Sequence, residues 1–170
     1  KMAYIGDASL WEDIGAGYKY TSDKGTGLLA CSNKIFKDFK AEATVVLEKG
    51  KGTAGILFGK QSYSSDINDC YKLSLSSDGN LKLSIGDKKL ANAKVSIPDK
   101  GLRLIVRREN GYIHIFAGLE PKLVISVYDT THIEGFVSYY TENLSASIIN
   151  YDITPISSDY ILSDVLFGTD

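Results

Sequence analysis

The sequence has little of what catalysis and metal binding usually require. Its 170 residues include two histidines, His114 and His132, and two cysteines, Cys31 and Cys70. A nucleophile needs a base beside it, and there is no GxSxG elbow, no phosphate-binding glycine loop and no zinc-ligand spacing. We therefore expect no catalytic residues, no metal ligands and no enzyme activity. Because both cysteines lie in strand-like stretches, we interpret them as free or buried thiols, with a disulfide as the alternative.

Long apolar runs and clustered positive charge are also absent. No apolar run reaches the roughly 18 residues of a membrane helix, and the first segment, KMAYIGDASLW, has no signal-peptide core. The formal net charge is −2, and the 19 basic residues are mostly lysines dispersed among acids. Since phosphate binding needs Lys and Arg clustered on one face, we expect neither membrane insertion nor a nucleic-acid partner.

Length and composition fit one domain. A chain of 170 residues that is 44% hydrophobic and 11% aromatic can bury one sizeable core. Since numbering begins at Lys1, we interpret residues 1–170 as a single module, excised from a larger multidomain protein and monomeric. Residues 154–170 are a candidate C-terminal extension or linker, in which SSDYILSDVLF forms a short helix, a strand or a linker.

Strand patterns and turn signals fill most of the chain. Residues 38–60, DFKAEATVVLEKGKGTAGILFGK, contain two alternating segments joined by a lysine and glycine turn. In the first, Glu42 lies on the face opposite Phe39, Ala41 and Ala43. Further turns that supply positive φ lie at Asp78-Gly79, Gly86-Asp87 and Asn110-Gly111. With about a dozen short strands and no 3.6-residue pattern, the sequence predicts an all-β, two-sheet antiparallel β-sandwich.

The face that carries Glu42 is the candidate binding surface. Gly55 and Gly59 in the second segment leave room above the backbone, so we expect an outer, concave surface that binds a sugar. His114 lies on the opposite face from the isoleucines beside it, so it points toward solvent or a ligand. Trp11, the single tryptophan, is either a platform for a sugar ring or a plug at the rim of the core.

A polar loop over residues 61–69, QSYSSDIND, separates the second segment from the next strand. Loops of this kind carry sites more often than strands do. Asp66 and Asp69 offer carboxylates for calcium or for sugar hydroxyls, but they lack the regular acidic spacing of a dedicated calcium loop. We therefore expect no cofactor, and calcium remains the one candidate ion.

The order of the segments resembles a known family. The segments DFKAEATVVL, GTAGILFGK, CYKLSLSSDGNLKL, LRLIVRRENGYIHIFAG, PKLVISVYDT and EGFVSYYTENLSASIINYDI resemble the concanavalin A-like jelly roll of fructan-binding carbohydrate modules. Laminin G-like domains share this order. Over residues 10–153, the resemblance implies a jelly roll, a polysaccharide partner and attachment to a glycoside hydrolase through other domains of the same polypeptide. It also implies an extracellular or cell-surface location.

The resemblance further implies a ligand site. The acid of the family's DF-x-x-EA strand matches Glu42, and the tyrosine after its variable loop matches Tyr71. An aromatic near the end of its penultimate strand matches Tyr139 or Tyr140. Where the family's AG-[LI]-x-F-R strand has an arginine, this chain has Gly59, followed by a lysine. The expected ligand-binding residues are Glu42, Lys60, Tyr71, His114, Tyr139 and Tyr140.

Two other interpretations stay open. One is a structural or protein-interaction sandwich that packs against a neighbouring catalytic domain and binds no sugar; its sign is an apolar patch on the outer face. The other is a small glycoside hydrolase on the same fold. That activity needs two carboxylates roughly 5 to 10 Å apart, and Glu42 has Glu142 and Asp129 as candidate partners.

Overall fold

The computed structural model describes residues 3–5, 7–30 and 33–156. Cys31 and the predicted element that begins at residue 157 lie outside these ranges. The described residues form one turn of 3-10 helix, Ala8–Leu10, and twelve strands. The strands are β1 (Ala3–Ile5), β2 (Trp11–Asp13), β3 (Gly17–Tyr20), β4 (Thr26–Ala30), β5 (Phe39–Lys60), β6 (Tyr71–Ser76), β7 (Asn80–Ile85), β8 (Lys88–Lys94), β9 (Leu102–Glu109), β10 (Tyr112–Ala117), β11 (Lys122–Tyr128) and β12 (Phe136–Pro155). None of the described residues belongs to a helix long and apolar enough to cross a membrane.

The longest strand, β5, folds back on itself. Phe39 and Phe58 lie near its two ends, yet their ring centroids are 5.7 Å apart, whereas a straight strand would separate them by about 60 Å. The bend passes through Gly50 and Gly52, where a Cβ on Gly52 would lie 1.7 Å from the carbonyl oxygen of Glu142 in β12. The predicted two strands and turn are therefore one strand, which stays hydrogen-bonded through its bend because β12 bends with it.

The two halves of β5 belong to different sheets. Residues 39–45 pair with β9 on one side, and residues 39–47 pair with residues 146–155 of β12 on the other. β10 and β11 extend one edge of this sheet, and β3 and β2 extend the other. We call it the front sheet. Residues 53–58 pair with β6, and residues 53–60 pair with residues 136–142 of β12. β7, β8, β4 and β1 complete the back sheet.

The main core fills the space between the sheets. On the first half of β5, Phe39, Ala41, Ala43 and Val45 are buried, and the polar residues between them lie on the outer side. Buried residues of the back sheet, such as Leu73 and Leu75, belong to the same cluster. The described chain is therefore an all-β, two-sheet antiparallel sandwich, as the alternation in the sequence predicts.

Trp11 belongs to this core. Its ring is buried and lies 5.0 Å from the ring of Tyr20, with the ring of Tyr4 stacked 6.2 Å away. A buried ring offers no face to a ligand. Of the two interpretations of Trp11, the structure supports the plug in the core.

A second apolar cluster lies outside the back sheet, beneath the loop 61–70. Its buried members are Leu28, Leu57, Ile67, Cys70 and Tyr140. The expectation of an open surface above Gly55 and Gly59 in the second half of β5 is wrong, because Ile67 and Cys70 of the loop pack over the neighbouring Leu57. Cys70 is a free, buried thiol, as predicted. The covered side of Leu57 and the side that carries Glu42 therefore belong to opposite sheets.

Candidate functional site

The outer side of the front sheet carries a mixture of charged and aromatic side chains, which we call the Glu42 face. The register places Glu42 of β5 opposite Ile105 of β9, and Ile105 opposite Phe116 of β10. One step along, Lys40 lies opposite Arg107, and Arg107 opposite His114. The Glu42 face includes Lys40, Glu42, Arg103, Ile105, Arg107, Glu109, Tyr112, His114, Phe116, Tyr128 and Asp152, which lies opposite Glu42 on β12.

The Glu42 carboxylate is held by cations on this face. Its Oε2 atom accepts a hydrogen bond from Nε of Arg103 at 2.9 Å and lies 2.8 Å from Nη2 of Arg103 in an ion pair. Nζ of Lys40 lies 3.6 Å from the other oxygen, Oε1. The Glu42 side chain is 17% exposed. One oxygen is thus committed to the arginine, and Oε1 is the oxygen with capacity for a further donor.

A small depression lies beside Glu42. It has a volume of about 210 Å³ and is lined by Lys40, Ile105, Arg107, Phe116 and Pro121. Two cations and three apolar side chains make up this lining, and no carboxylate among the described residues contributes to it. The depression therefore combines hydrogen-bond donors with an apolar wall.

Aromatic side chains stand next to the depression on β10 and β11. Tyr112 is 51% exposed and Tyr128 is 63% exposed, and their ring centroids lie 5.0 Å apart in an edge-to-face contact. The imidazole of His114 lies parallel to the ring of Tyr112, with 6.0 Å between centroids. His114 points outward, as predicted. Together the three rings form an exposed aromatic group.

Two of the predicted tyrosines lie inside the main core. Tyr139 is buried between the sheets, and its hydroxyl donates to the backbone carbonyl of Glu42. Tyr71 is buried with its ring stacked 5.0 Å from that of Phe58, and its hydroxyl donates to Oδ1 of Asp129. Both side chains support the sandwich from within and have no exposed ring face.

Lys60 and Tyr140 lie at the back sheet and are covered by the loop 61–70. Lys60 is 2% exposed, and its ammonium donates to the backbone carbonyl of Asp66 in the loop. Burial lowers the pKa of Lys60. The Tyr140 hydroxyl lies 2.8 Å from Oγ1 of Thr53, and burial raises the pKa of this phenol.

The six predicted residues therefore do not converge on one pocket. Glu42 and His114 share the Glu42 face, whereas the other four are buried in the core or under the loop. Alternation explains part of this result: Tyr139 and Tyr140 are neighbours in β12 and point to opposite sides of the sheet. Whether any of the six contacts a ligand stays a prediction.

The carboxylates proposed as partners of Glu42 are also distant from it in the fold. Glu142 pairs with Thr53 in the back sheet. Asp129 follows β11 and accepts hydrogen bonds from Tyr71 and from the backbone of Thr131. Burial acts to raise the pKa of Asp129, but these hydrogen bonds outweigh it and hold the pKa below its ordinary value.

Arg107, Tyr112 and Tyr128 are not among the residues expected from the sequence, although the sequence contains a signal for the first two. The two-residue turn Asn110-Gly111 fixes the register of β9 and β10, and so places Tyr112 opposite Glu109. Extending that register by two residues places His114 beside Arg107. The hairpin alone therefore predicts an aromatic strand beside a cationic one.

Two larger hollows lie at the end of the sandwich where β5 bends. Their volumes are about 580 and 710 Å³, and Asp23 and Lys49 line both. Their other charged lining residues are Lys19, Lys24, Glu48 and Lys51, and none of the described aromatic side chains lines either hollow. In the part of the chain that the structure describes, no three His, Cys, Asp or Glu side chains are placed to hold a metal ion.

Comparison with known proteins supports the fold. No protein-family model matches the sequence, and no curated protein matches it. Among solved structures, the carbohydrate-binding module CBM66 from Bacillus subtilis matches with a TM-score of 0.74 at 19% identity, over 89% of this chain and 94% of that chain. The chain has the concanavalin A-like jelly-roll fold.

Other structures with this fold have different descriptions. The exoplasmic/lumenal domain of VIP36, in a form bound to Ca²⁺ and Man3GlcNAc, matches with a TM-score of 0.66 at 11% identity, over 92% of this chain and 84% of that chain. A protein from Parabacteroides distasonis, provisionally described as a glycosyl hydrolase, matches with a TM-score of 0.65 at 12% identity, over 92% and 88%. At such identities the likeness concerns the fold alone.

Proposed function

We propose that this chain is a non-catalytic carbohydrate-binding module that recognises a terminal sugar of a polysaccharide through the Glu42 face. The observation that carries the proposal is the exposed aromatic group of Tyr112, His114 and Tyr128 beside a depression lined by Lys40 and Arg107. Fructans and other glycans are candidate ligands. The proposed role is to hold an attached glycoside hydrolase on its substrate, outside the cell.

The chemistry of the face suits a sugar. A sugar ring presents C–H groups that pack on aromatic rings and hydroxyls that pair with charged groups. The exposed rings supply the packing surface, and the guanidinium of Arg107 supplies donors in a fixed plane. Because the face is open and its contacts are few, we expect dissociation constants between about 1 μM and 1 mM.

The structural neighbours support a binding role. CBM66 is a carbohydrate-binding module by its description, and the VIP36 domain was solved with a bound mannose-containing saccharide. Both have the same sandwich as this chain. A non-catalytic role also agrees with the surroundings of Glu42, since this carboxylate is held in an ion pair with Arg103 on an open sheet surface, where Asp152 of β12 is the acid opposite it.

A glycan array followed by calorimetry tests the proposal. The array contains levan, inulin, and plant and mucin glycans, and the hits are titrated against wild type and Tyr128→Ala. We expect the variant to lose at least about fivefold in affinity, because packing of a sugar ring on an exposed aromatic ring is worth of the order of 1 kcal/mol. Tyr63→Ala is the matched control, since Tyr63 is a similarly exposed tyrosine outside the Glu42 face.

The control separates two ways in which the proposal fails. Retention of no glycan by wild type contradicts carbohydrate binding altogether. Equal losses in Tyr128→Ala and Tyr63→Ala contradict the placement of the site on the Glu42 face. Equal folding of all three proteins, checked by circular dichroism and thermal melting, is required for either comparison.

A protein-interaction module is the second candidate, and exposed apolar side chains favour it. Leu119 is 79% exposed, and Leu123 of the edge strand β11 is more than half exposed, on the same side of the molecule as Tyr128. Apolar residues grouped with exposed tyrosines are typical of protein contacts. Leu119→Ser with Leu123→Ser tests this candidate: loss of association with a co-expressed neighbouring domain, with glycan binding unchanged, would support it.

A further inference from the structure

The depression beside Glu42 has a charge pattern that selects among sugars. Its two polar lining residues, Lys40 and Arg107, are both cations, and they lie directly opposite each other on neighbouring strands. Like charges in that position repel, so the sheet gains no stability from the pair itself. Its remaining lining is apolar: Ile105, Phe116 and Pro121.

Both cations keep donors for a ligand. Arg107 has five N–H donors, and among the described residues only Nη2 has a hydrogen-bond partner, Glu109 at 3.3 Å. Lys40 lies 3.6 Å from Glu42, which is an ion pair but longer than a hydrogen bond. These two carboxylates partly neutralise the cations from outside the depression and do not line it.

We infer that the depression binds a single sugar ring that carries a carboxylate, such as a hexuronate or a sialate, between Lys40 and Arg107. This inference rests on the proposed function and names its ligand class. The ligand carboxylate accepts hydrogen bonds from the Arg107 guanidinium and the Lys40 ammonium, and a C–H face of the ring packs against Phe116. Neutral sugars meet the same apolar wall but leave the two cations without an anion.

The size of the depression limits the ligand to one ring. Pockets for drug-sized ligands have volumes of about 300 to 1,000 Å³, whereas this depression has about 210 Å³. Further units of a glycan would extend over the open face toward Tyr112 and Tyr128. An acidic unit at a chain end would therefore be recognised in the depression, with neutral neighbours held weakly by the exposed rings.

Titration of the protein with matched methyl glycosides, monitored by NMR, tests the inference. The acidic arm contains methyl glucuronide, methyl galacturonide and a methyl sialoside, which separate the two sources of a sugar carboxylate. The neutral arm contains methyl glucoside, galactoside and fructoside, and sodium acetate tests for charge alone. We expect wild type to bind at least one acidic glycoside about tenfold more tightly than its neutral counterpart, and this preference to shrink at 0.5 M salt.

Two charge-removing variants with a matched control locate the effect. Lys40→Met and Arg107→Gln should each lower affinity for the acidic glycoside about fivefold or more, and by a larger factor than for its neutral counterpart, which pairs with these cations only through hydroxyls. Lys88→Met removes the same charge from an exposed site on β8 of the back sheet. It should change neither the affinity for acidic glycosides nor that for neutral ones.

The outcomes separate this inference from the proposed function. Neutral glycosides that bind as tightly as acidic ones, or equal losses in Lys40→Met and Lys88→Met, overturn the inference and leave carbohydrate binding intact. Acetate that binds as tightly as the acidic glycosides overturns it as well, because the sugar ring would contribute nothing. No binding of any glycoside or array glycan overturns both.

Discussion

Arg103 holds a single oxygen of Glu42: its Nε donates a hydrogen bond to Oε2 at 2.9 Å, and its Nη2 lies 2.8 Å from the same oxygen in an ion pair. The contact joins β9 to β5 across the outer side of the front sheet, and Tyr139 contacts the backbone carbonyl of the same glutamate from the core side. Glu42 is therefore tied to the sandwich on both sides of its sheet, which makes it a rigid point on the Glu42 face.

The ion pair predicts a modest effect of Glu42→Gln. The variant leaves Arg103 without its anion, but the arginine is 37% exposed and can be hydrated. We expect the free energy of unfolding to fall by about 1 kcal/mol, as measured by urea denaturation at pH 7. Glu48→Gln is the matched control, because its partner Lys19 is 3.3 Å away and both side chains are about a third exposed. Equal losses would contradict a special role for the Arg103 pair.

Tyr139→Phe tests the contact on the core side. The variant removes one buried hydroxyl and leaves the carbonyl of Glu42 without that donor. We expect a loss of about 1 to 2 kcal/mol in the free energy of unfolding, since the ring itself still fills the core. Glycan affinity should stay unchanged, because Tyr139 has no exposed atoms for a ligand to contact. A weakened glycan affinity with unchanged stability would instead indicate that Tyr139 contacts the ligand.

Local patterns were sufficient to predict the sheet faces. Alternation placed Phe39 inside and Glu42 outside, and the Asn110-Gly111 turn fixed the β9–β10 register that aligns His114 with Arg107. Such signals extend over a few residues and depend only on backbone geometry. The same alternation directs the side chains of Tyr139 and Tyr140 to opposite sides of β12, so the two cannot line one pocket.

The same patterns do not predict which sheet a strand joins or which loop covers it. Alternation assigns a residue to one side of a strand but does not say which sheet the strand joins, and the two halves of β5 join opposite sheets. The cover over Leu57 is supplied by Ile67, whose polar loop shows no periodicity. Both features arise from packing between segments that are distant in sequence, which a single sequence does not encode as a local signal.

Gly59 should tolerate no side chain. Its φ is +61°, and an added Cβ would lie 2.9 Å from the ring of Tyr71, which is buried and stacked on Phe58. We expect Gly59→Ala to lose about 2 to 4 kcal/mol, the sum of left-handed backbone strain and the steric clash. Gly59→Arg, which restores the arginine of the fructan-binding pattern, should be at least as destabilising.

Gly15→Ala is the control that separates those two costs. Gly15 has a φ of +88°, and a Cβ there would meet nothing within 4 Å. Its alanine variant should lose only the backbone strain, about 1 kcal/mol. Chemical denaturation of both variants measures the difference. Equal losses of unfolding free energy at the two positions would show that Tyr71 moves aside. A ligand-binding side chain could then be accommodated at position 59.

The buried thiol of Cys70 predicts a loss of stability at alkaline pH. Burial raises the pKa of Cys70 to about 11, with Lys60 and Lys72 partly opposing the shift. Between about pH 9 and 11 the unfolded chain loses the thiol proton while the folded protein keeps it, so the folded state binds more protons and stability falls as pH rises. Tyr140 acts in the same direction above its ordinary pKa, and Lys60 acts in the opposite one.

Cys70→Ala isolates the contribution of the thiol. The variant should lose stability at pH 7 because it leaves a small gap beneath the loop 61–70, and this loss is the reference for packing alone. Between pH 9 and 11 its stability should then fall less steeply than that of wild type, by up to about 2 to 3 kcal/mol over the interval. Urea denaturation at pH 7, 9, 10 and 11 gives both slopes. Parallel slopes would mean that Cys70 ionises in the folded protein as freely as in the unfolded chain, and hence that the loop does not seal the second cluster from water.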